Sequence, residues 1–376
     1  MPIDLSTLAI LAGLFFGSVI GDAVLFGNQL QVHITVPEKL AAAGFTQEAA
    51  EQLFLAEVAR VGQVPSIVHT PEADVNSRPS VLEALVKPLQ LTEVVNSLQY
   101  QLGYDAVMIH CALIEGAAGP GLQMVVVVSQ PNEPPANIKL SQADGDAAAL
   151  VERGSRLALE MVSPYRVALT DFWEGRHGDT AQLAHAKQVA ETALNETWDP
   201  ARATEHVMLR NLIALSALRA GDFTAAAAQY KLSDTIPGAE PAAHGTVALN
   251  RAFVSVAQRR PTDAVAQYKE GVRQSTEVTL PGYAADMALL GGLVAWSAGD
   301  TRQAEQLVRR ALETQPHSEA AHAYLAQLLR AKGDAAGADA ESAAAVDSRR
   351  FSVLVPALAQ SDFWVDPVNG GITLRD

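Results

Sequence analysis

The sequence predicts an α+β, two-domain chain: an N-terminal transmembrane helix, a small α/β sandwich with a mixed sheet, then an all-α solenoid of helical hairpins. Three observations predict it. Leu5–Phe26 is almost wholly apolar. Between about Gly27 and Leu140, short strand-like runs alternate with stretches of helical period. From about residue 165 to residue 350, a small residue, a Gly-Asp pair and an alanine-led apolar face recur in the same order.

Composition narrows the function classes before any element is placed. At 376 residues the chain has room for two domains and a sizeable core, and 49% hydrophobic against 18% charged residues argues against wholesale disorder. The net charge of −15 is spread along the chain, so nucleic acid is not an expected partner, because neutralising phosphates needs a basic surface. The single cysteine, Cys111, excludes an internal disulfide and any cysteine-based zinc cluster.

Residues 1–27 read as the membrane anchor. The 22 residues Leu5–Phe26 contain one charge, Asp22, and as a helix they could cross a hydrocarbon layer of about 30 Å. No basic segment precedes them, as a secretory signal would require. The competing reading is an apolar core helix, Thr7–Ile20. Ala9, Gly13, Gly17 and Gly21 recur every four residues and would form a smooth stripe. Against it another transmembrane helix could pack, from a second copy or from a partner subunit. Lys39 and Arg60 are the only basic residues among the first 60, so charge says little about topology.

Residues 28–140 read as the α/β domain. Val32–Val36 alternates like a strand and stops at Pro37. Thr46 can cap a helix to Val61, with Ala50, Phe54, Val58 and Val61 on one face. Val64–His69 reads as a short strand, Leu91–Leu102 as a helix, and Asp105–Ile114 with Leu122–Ser129 as a β-hairpin. Pro131–Ala136 reads as a connection, after which Asp146 opens a helix to Met161 leading into the repeats.

Residues 141–350 carry the hairpins, and residues 351–376 a tail or cap. The reference unit is 285–316: Gly292 is the small position, Gly299-Asp300 the turn, Ala304, Val308 and Ala311 one face, and Pro316 the close. Ala338 follows Ala304 by 34 residues, with Gly333-Asp334 in its turn and Ala326 at the small position. Ala264 with Ala252, and Ala226 with Gly221-Asp222 and Ala214, continue the series backwards. Steps of 38 and 40 residues there imply longer loops at Ile236–His244 and Ser275–Tyr283. Gly178-Asp179 marks a degenerate first unit. Over roughly 165–350 this pattern resembles the tetratricopeptide repeat, a 34-residue helix–turn–helix.

The order of strands and helices before the repeats, with Leu102–Ile109 leading into the final hairpin, resembles the TolB amino-terminal-like domain. That resemblance implies a bacterial membrane-anchored protein whose soluble part is more often periplasmic. With the apolar stretch as its one anchor, the expected placement is single-pass in the inner membrane, while Lys39 taken alone favours a cytoplasmic soluble part.

Catalytic chemistry finds little support. Gly116–Gly121 is glycine-rich, but a strand rather than a helix follows it, so it reads as a turn and not a phosphate cradle. His110 and Cys111 are adjacent in a strand and point to opposite faces. His185, and His317 with His322, lack carboxylates at metal-ligand spacing in the sequence. No cofactor, metal site or enzyme activity is expected.

What remains is a surface. In the resembled family, inner positions of each first helix line a concave groove. Here these are Met208, Asn211, Leu215 and Leu218; Thr246, Leu249, Phe253 and Val256; Asp286, Leu289, Leu293 and Trp296; and Ala320, Ala323, Gln327 and Arg330. The Lys and Asn pattern with which some relatives clamp a C-terminal carboxylate is missing. An apolar groove of this size should meet something. One candidate occupant is the tail, with Phe351, Leu354, Val355, Leu358, Phe363 and Trp364; the other is a segment of a partner protein. The expected function is a membrane-anchored, non-enzymatic scaffold that holds a protein partner or a membrane complex. The contrasting expectation is a sensory module whose α/β domain binds a small ligand near His69 or His110.

Overall fold

The computed structural model describes residues 30–68, 107–115, 121–130, 134–142, 145–196 and 199–375. Two compact units divide the chain: residues 1–63 with 70–164, and residues 64–69 with 165–376.

The first unit is built on a mixed four-stranded sheet in the order β1 (Gln31–Thr35), β2 (Met108–Glu115), β3 (Leu122–Ser129) and β4 (Ala136–Gln142). β1 runs parallel to β2, and the remaining neighbours are antiparallel. A short helix α1 (Glu38–Ala42) follows β1, and α2 (Gln47–Gln63) comes next. Thr46 receives the Ala49 N–H at 3.3 Å, and Ala50, Phe54, Val58 and Val61 form the buried face of α2, as the period predicts. Helix α3 (Ala147–Val162) starts at Asp146, whose carboxylate accepts the Ala149 N–H at 3.1 Å. It packs on α2, β3 and β4, so it belongs to the sheet unit. Gly154 sets how closely it lies: a Cβ there would stand 2.5 Å from Met124 Sδ.

Two differences from the expected order have local causes. β4 follows the expected connection Pro131–Ala136 as a strand that the sequence does not signal, because its mixed residues, ANIKLSQ, show no face that is fully buried. Val64–Val68 forms no strand. Pro65 lacks the N–H a ladder needs, and the segment joins the helical unit instead, with Val64, Ile67 and Val68 in its core. There Arg166 donates to the Val64 carbonyl at 3.0 Å. The expected helix at Leu91–Leu102 lies outside the described residues.

The membrane assignment needs correction. Among the described residues no helix is long and apolar enough to cross a membrane. The expected anchor, 1–27, with its stripe Ala9, Gly13, Gly17 and Gly21, lies outside the described residues. The fold is therefore a mixed-sheet unit and a helical unit with no membrane-spanning helix among the described residues, and a single-pass inner-membrane placement is not upheld.

The helical unit is five consecutive antiparallel hairpins. They are α4 (Pro164–Gly175) with α5 (Thr180–Asn195), α6 (Ala203–Arg219) with α7 (Phe223–Ser233), α8 (Pro241–Ala257) with α9 (Pro261–Gln274), α10 (Tyr283–Ser297) with α11 (Thr301–Thr314), and α12 (Glu319–Ala331) with α13 (Ala335–Ser348). The Gly-Asp pair closes one helix and opens the next. Gly221, Gly299 and Gly333 take positive φ and donate to carbonyls three residues back; the following Asp N–H reaches five back. The Asp carboxylate then caps the second helix, as Asp300 does for the Gln303 N–H at 2.9 Å. In the third hairpin Arg259 holds the left-handed position (φ 57°), and Pro261 starts the helix with no side-chain cap.

Alanine fixes the spacing between helices. Ala226, Ala264, Ala304 and Ala338 are all fully buried, and Gly292 opposes the Ala304–Val308 turn, where an added Cβ would meet Val308 Cγ2 at 2.7 Å. After α13 the chain turns back, forms a 3₁₀ turn at Ala359–Ser361, and ends in a small antiparallel pair, β5 (Phe363–Val365) with β6 (Ile372–Leu374).

Candidate functional site

The tail lies along the face made by the first helices of the last four hairpins, and polar side chains from those helices hold its backbone. Asn211 of α6 and Asn250 of α8 both donate to the Ala357 carbonyl, at 2.9 and 2.8 Å. Asn250 Oδ1 in turn accepts the Ala359 N–H at 2.8 Å, so one side-chain amide pairs with two peptide groups of the tail. Asn211 Oδ1 accepts from Asn250 Nδ2 at 2.8 Å, which fixes the orientation of both amides. Further along, Gln315 donates to the Val353 carbonyl at 2.9 Å. The Tyr324 hydroxyl accepts the Val365 N–H at 2.9 Å and donates to its carbonyl at 3.0 Å. The Gly371 N–H donates to the Ala257 carbonyl at 2.7 Å.

Apolar burial accompanies these bonds. Val355, Ala357, Leu358, Ala359, Phe363 and Val365 are buried in one core cluster with the first helices. Trp364 meets Tyr324 edge-on at 5.5 Å, and the Arg375 guanidinium lies 4.5 Å over its ring. Arg375 also donates to the Gln360 carbonyl at 2.9 Å and pairs with Glu319 at 3.0 Å.

Two carboxylates are buried where tail and helices meet. Asp286 of α10 is 6% exposed, and burial pushes its carboxyl up to about 7. The Gln360 amide, the Arg375 charge and the Val355 N–H pull the other way. Asp362 of the tail is 2% exposed, and burial pushes it up to about 6 against the attraction of Arg219, Arg176 and Arg375. Among the described residues, Asp286 Oδ2, both amide atoms of Gln360 and both carboxylate oxygens of Asp362 make no hydrogen bond. The backbone of the tail is well matched to its face. The side chains of Gln360 and Asp362 are not.

Of the residues expected to line the groove, Leu215, Leu218, Leu249, Phe253, Val256, Leu289, Leu293 and Trp296 are 9% exposed or less and share the core cluster with the tail. Leu249 sits beside Gly271 of its own hairpin, where an added Cβ would meet Leu249 Cδ2 at 2.7 Å. The residue of α8 that reaches the tail is its neighbour Asn250. Asn211 and Asn250 are 39 residues apart while the small positions Ala214 and Ala252 are 38 apart, and one residue on a helix is a rotation of about 100°. Asn211 stands at an expected groove position; for Asn250 the signal available in the sequence is an asparagine between Leu249 and the apolar face of α8, which a buried position tolerates only with partners.

Elsewhere the polar groups serve packing. Asp171, fully buried, pairs with His185 at 2.7 Å across the first hairpin, a carboxylate that sequence spacing does not reveal. His322 pairs with Glu341 at 2.6 Å and with the Pro316 carbonyl at 2.9 Å. Among the described residues no three of His, Cys, Asp and Glu stand close enough to share a metal ion. In the sheet unit Cys111 is buried and its thiol is pushed up to about 12 by desolvation; His110, on the opposite face, is exposed and meets His33 edge-on at 6.1 Å. His69 and residues 116–120 of the glycine-rich stretch lie outside the described residues; β2 and β3 pair antiparallel, with Glu115 opposite Leu122.

No protein-family model and no curated protein matches the chain. Among solved structures it is similar to the "MamA RS-1 ArsTM double mutant", at 13% identity and a TM-score of 0.35, over 50% of this chain and 96% of that one. It is also similar to BtubC (BKLC) from P. vanneervenii, at 20% identity and a TM-score of 0.40, over 59% of this chain and 92% of that one. Such distant likenesses carry no functional weight. The tetratricopeptide-like character of the helical unit stands on its own hairpins.

Proposed function

We propose that this chain is a non-enzymatic scaffold that binds an extended segment of a protein partner along the first-helix face of its hairpins. One observation carries the reading: Asn250 engages the Ala357 carbonyl and the Ala359 N–H together. Such a pair reads peptide groups rather than side chains, so it suits any extended chain of matching shape. The tail is then the occupant that this face holds in the absence of a partner, and apolar cover is supplied without a second protein.

The test is exchange. A protease site inserted after the exposed Arg350 allows the full-length chain to be cut without losing any residue. A fluorescent peptide spanning residues 353–375 should then replace the resident tail under native conditions, and Asn250→Ala should weaken its binding about tenfold or more. A cut chain that stays folded yet never exchanges its tail would contradict the reading.

A further inference from the structure

We propose that the partner segment places a basic side chain against Asp286, where the resident tail presents Gln360 and the Val355 N–H and keeps its own cation, Arg375, paired with Glu319. This rests on the scaffold reading above and names the chemistry of the partner.

Asp286 belongs to the helical face and not to the tail, so any occupant must cover it. It is buried, and one of its oxygens makes no hydrogen bond among the described residues. The tail brings Gln360 to this point, yet neither amide atom of Gln360 completes a hydrogen bond. Arg375 lies close enough to attract Asp286, but its guanidinium is engaged by Glu319, the Gln360 carbonyl and the Trp364 ring. A buried acid whose nearest cation is bound to other groups is costly, and a cation paired with it directly recovers part of that cost. A lysine or arginine at the place of Gln360 supplies it. The raised affinity of Asp286 for a proton is the same demand expressed as titration.

The mismatch also explains how a covalently attached tail can be replaced. Its backbone bonds are available to any extended segment, whereas its Gln360 leaves an oxygen of Asp286 without a hydrogen bond among the described residues. A partner offering the same backbone and a basic residue at this point competes with an advantage that the tail lacks.

The experiment uses the cut full-length chain and three labelled peptides spanning residues 353–375: unchanged, Gln360→Lys and Gln360→Glu. At pH 7.5 the lysine peptide should displace the tail at about one-tenth the concentration the unchanged peptide needs, and the glutamate peptide should need about ten times more. In the Asp286→Asn chain, which keeps the size of the side chain, the order should collapse to within about twofold. A lysine peptide that binds no better, or that keeps its advantage against Asp286→Asn, overturns the inference while leaving the scaffold reading in place. Failure of all three peptides to exchange removes both. Sedimentation showing the tail of one copy seated on another would replace the basic partner with a second copy of this chain.

Discussion

Asn211 and Asn250, on the first helices of successive hairpins, stand 2.8 Å apart and donate to the same tail carbonyl, that of Ala357. Neither amide could be buried without the other or without the tail, because each would leave unpaired donors in an apolar surround. The pair therefore couples the stacking of two hairpins to the seating of the C-terminal segment.

Asn250→Ala leaves the Ala359 N–H buried without an acceptor and removes one of two donors to Ala357. The expected loss is about 2–3 kcal/mol in denaturant unfolding, with faster amide exchange at Ala359. Asn250→Asp keeps an acceptor but loses the donors and buries a charge, and should cost more. Equal stability of Asn250→Ala and the parent would contradict the clamp.

Stability should depend on pH through Asp286 and Asp362. Burial raises both carboxyls from 3.8, to about 7 and about 6, so the folded chain binds protons more tightly than the unfolded chain across that interval. Their contribution is fully present below pH of about 4 and is lost as pH rises through the folded values. Melting temperature should fall from pH 5 to pH 8, and Asp286→Asn should flatten the fall, gaining on the order of 2–4 kcal/mol at pH 8. A profile unchanged by the substitution would contradict the assignment.

The turns offer a comparison within one molecule. Arg259 occupies the left-handed position that glycine fills in the hairpins closed by Gly221, Gly299 and Gly333. Arg259→Gly should stabilise by about 1 kcal/mol, and Gly299→Ala should destabilise by about as much. Thermal unfolding of the two variants reads both signs.

Phe253, 1% exposed and in the core beneath the tail, is an anchor for the fold whatever partner binds. Phe253→Ala should cost about 3–5 kcal/mol, enough to obscure any effect on partner binding. Partner tests are better read from Asn250, whose side chain touches the tail directly.

The sequence discloses the hairpins because their makers are local: glycine for a left-handed turn, aspartate for a cap, alanine for close packing. The same holds for α2, whose buried face follows from its period. The tail's place was open between two occupants, since nothing local in Val353–Val365 says which surface it meets. The clamp was harder still. Asn250 lies one residue beyond the position that spacing from alanine selects, and its bonds join residues more than a hundred apart in the chain. β4 and the non-strand Val64–Val68 differ for other reasons: ANIKLSQ carries no buried face to mark a strand, and in Val64–Val68 tertiary packing overrides a strand-like pattern.

Native-state hydrogen exchange tests the central claim most directly, by comparing the tail amides of Ala359 and Val365 with those in the middle of α8. A tail that serves as a replaceable occupant should open on its own, at a free energy several kcal/mol below that of α8, with α8 still protected. Tail and helix amides that exchange together, only on global unfolding, would make the tail a permanent part of the core and contradict the account.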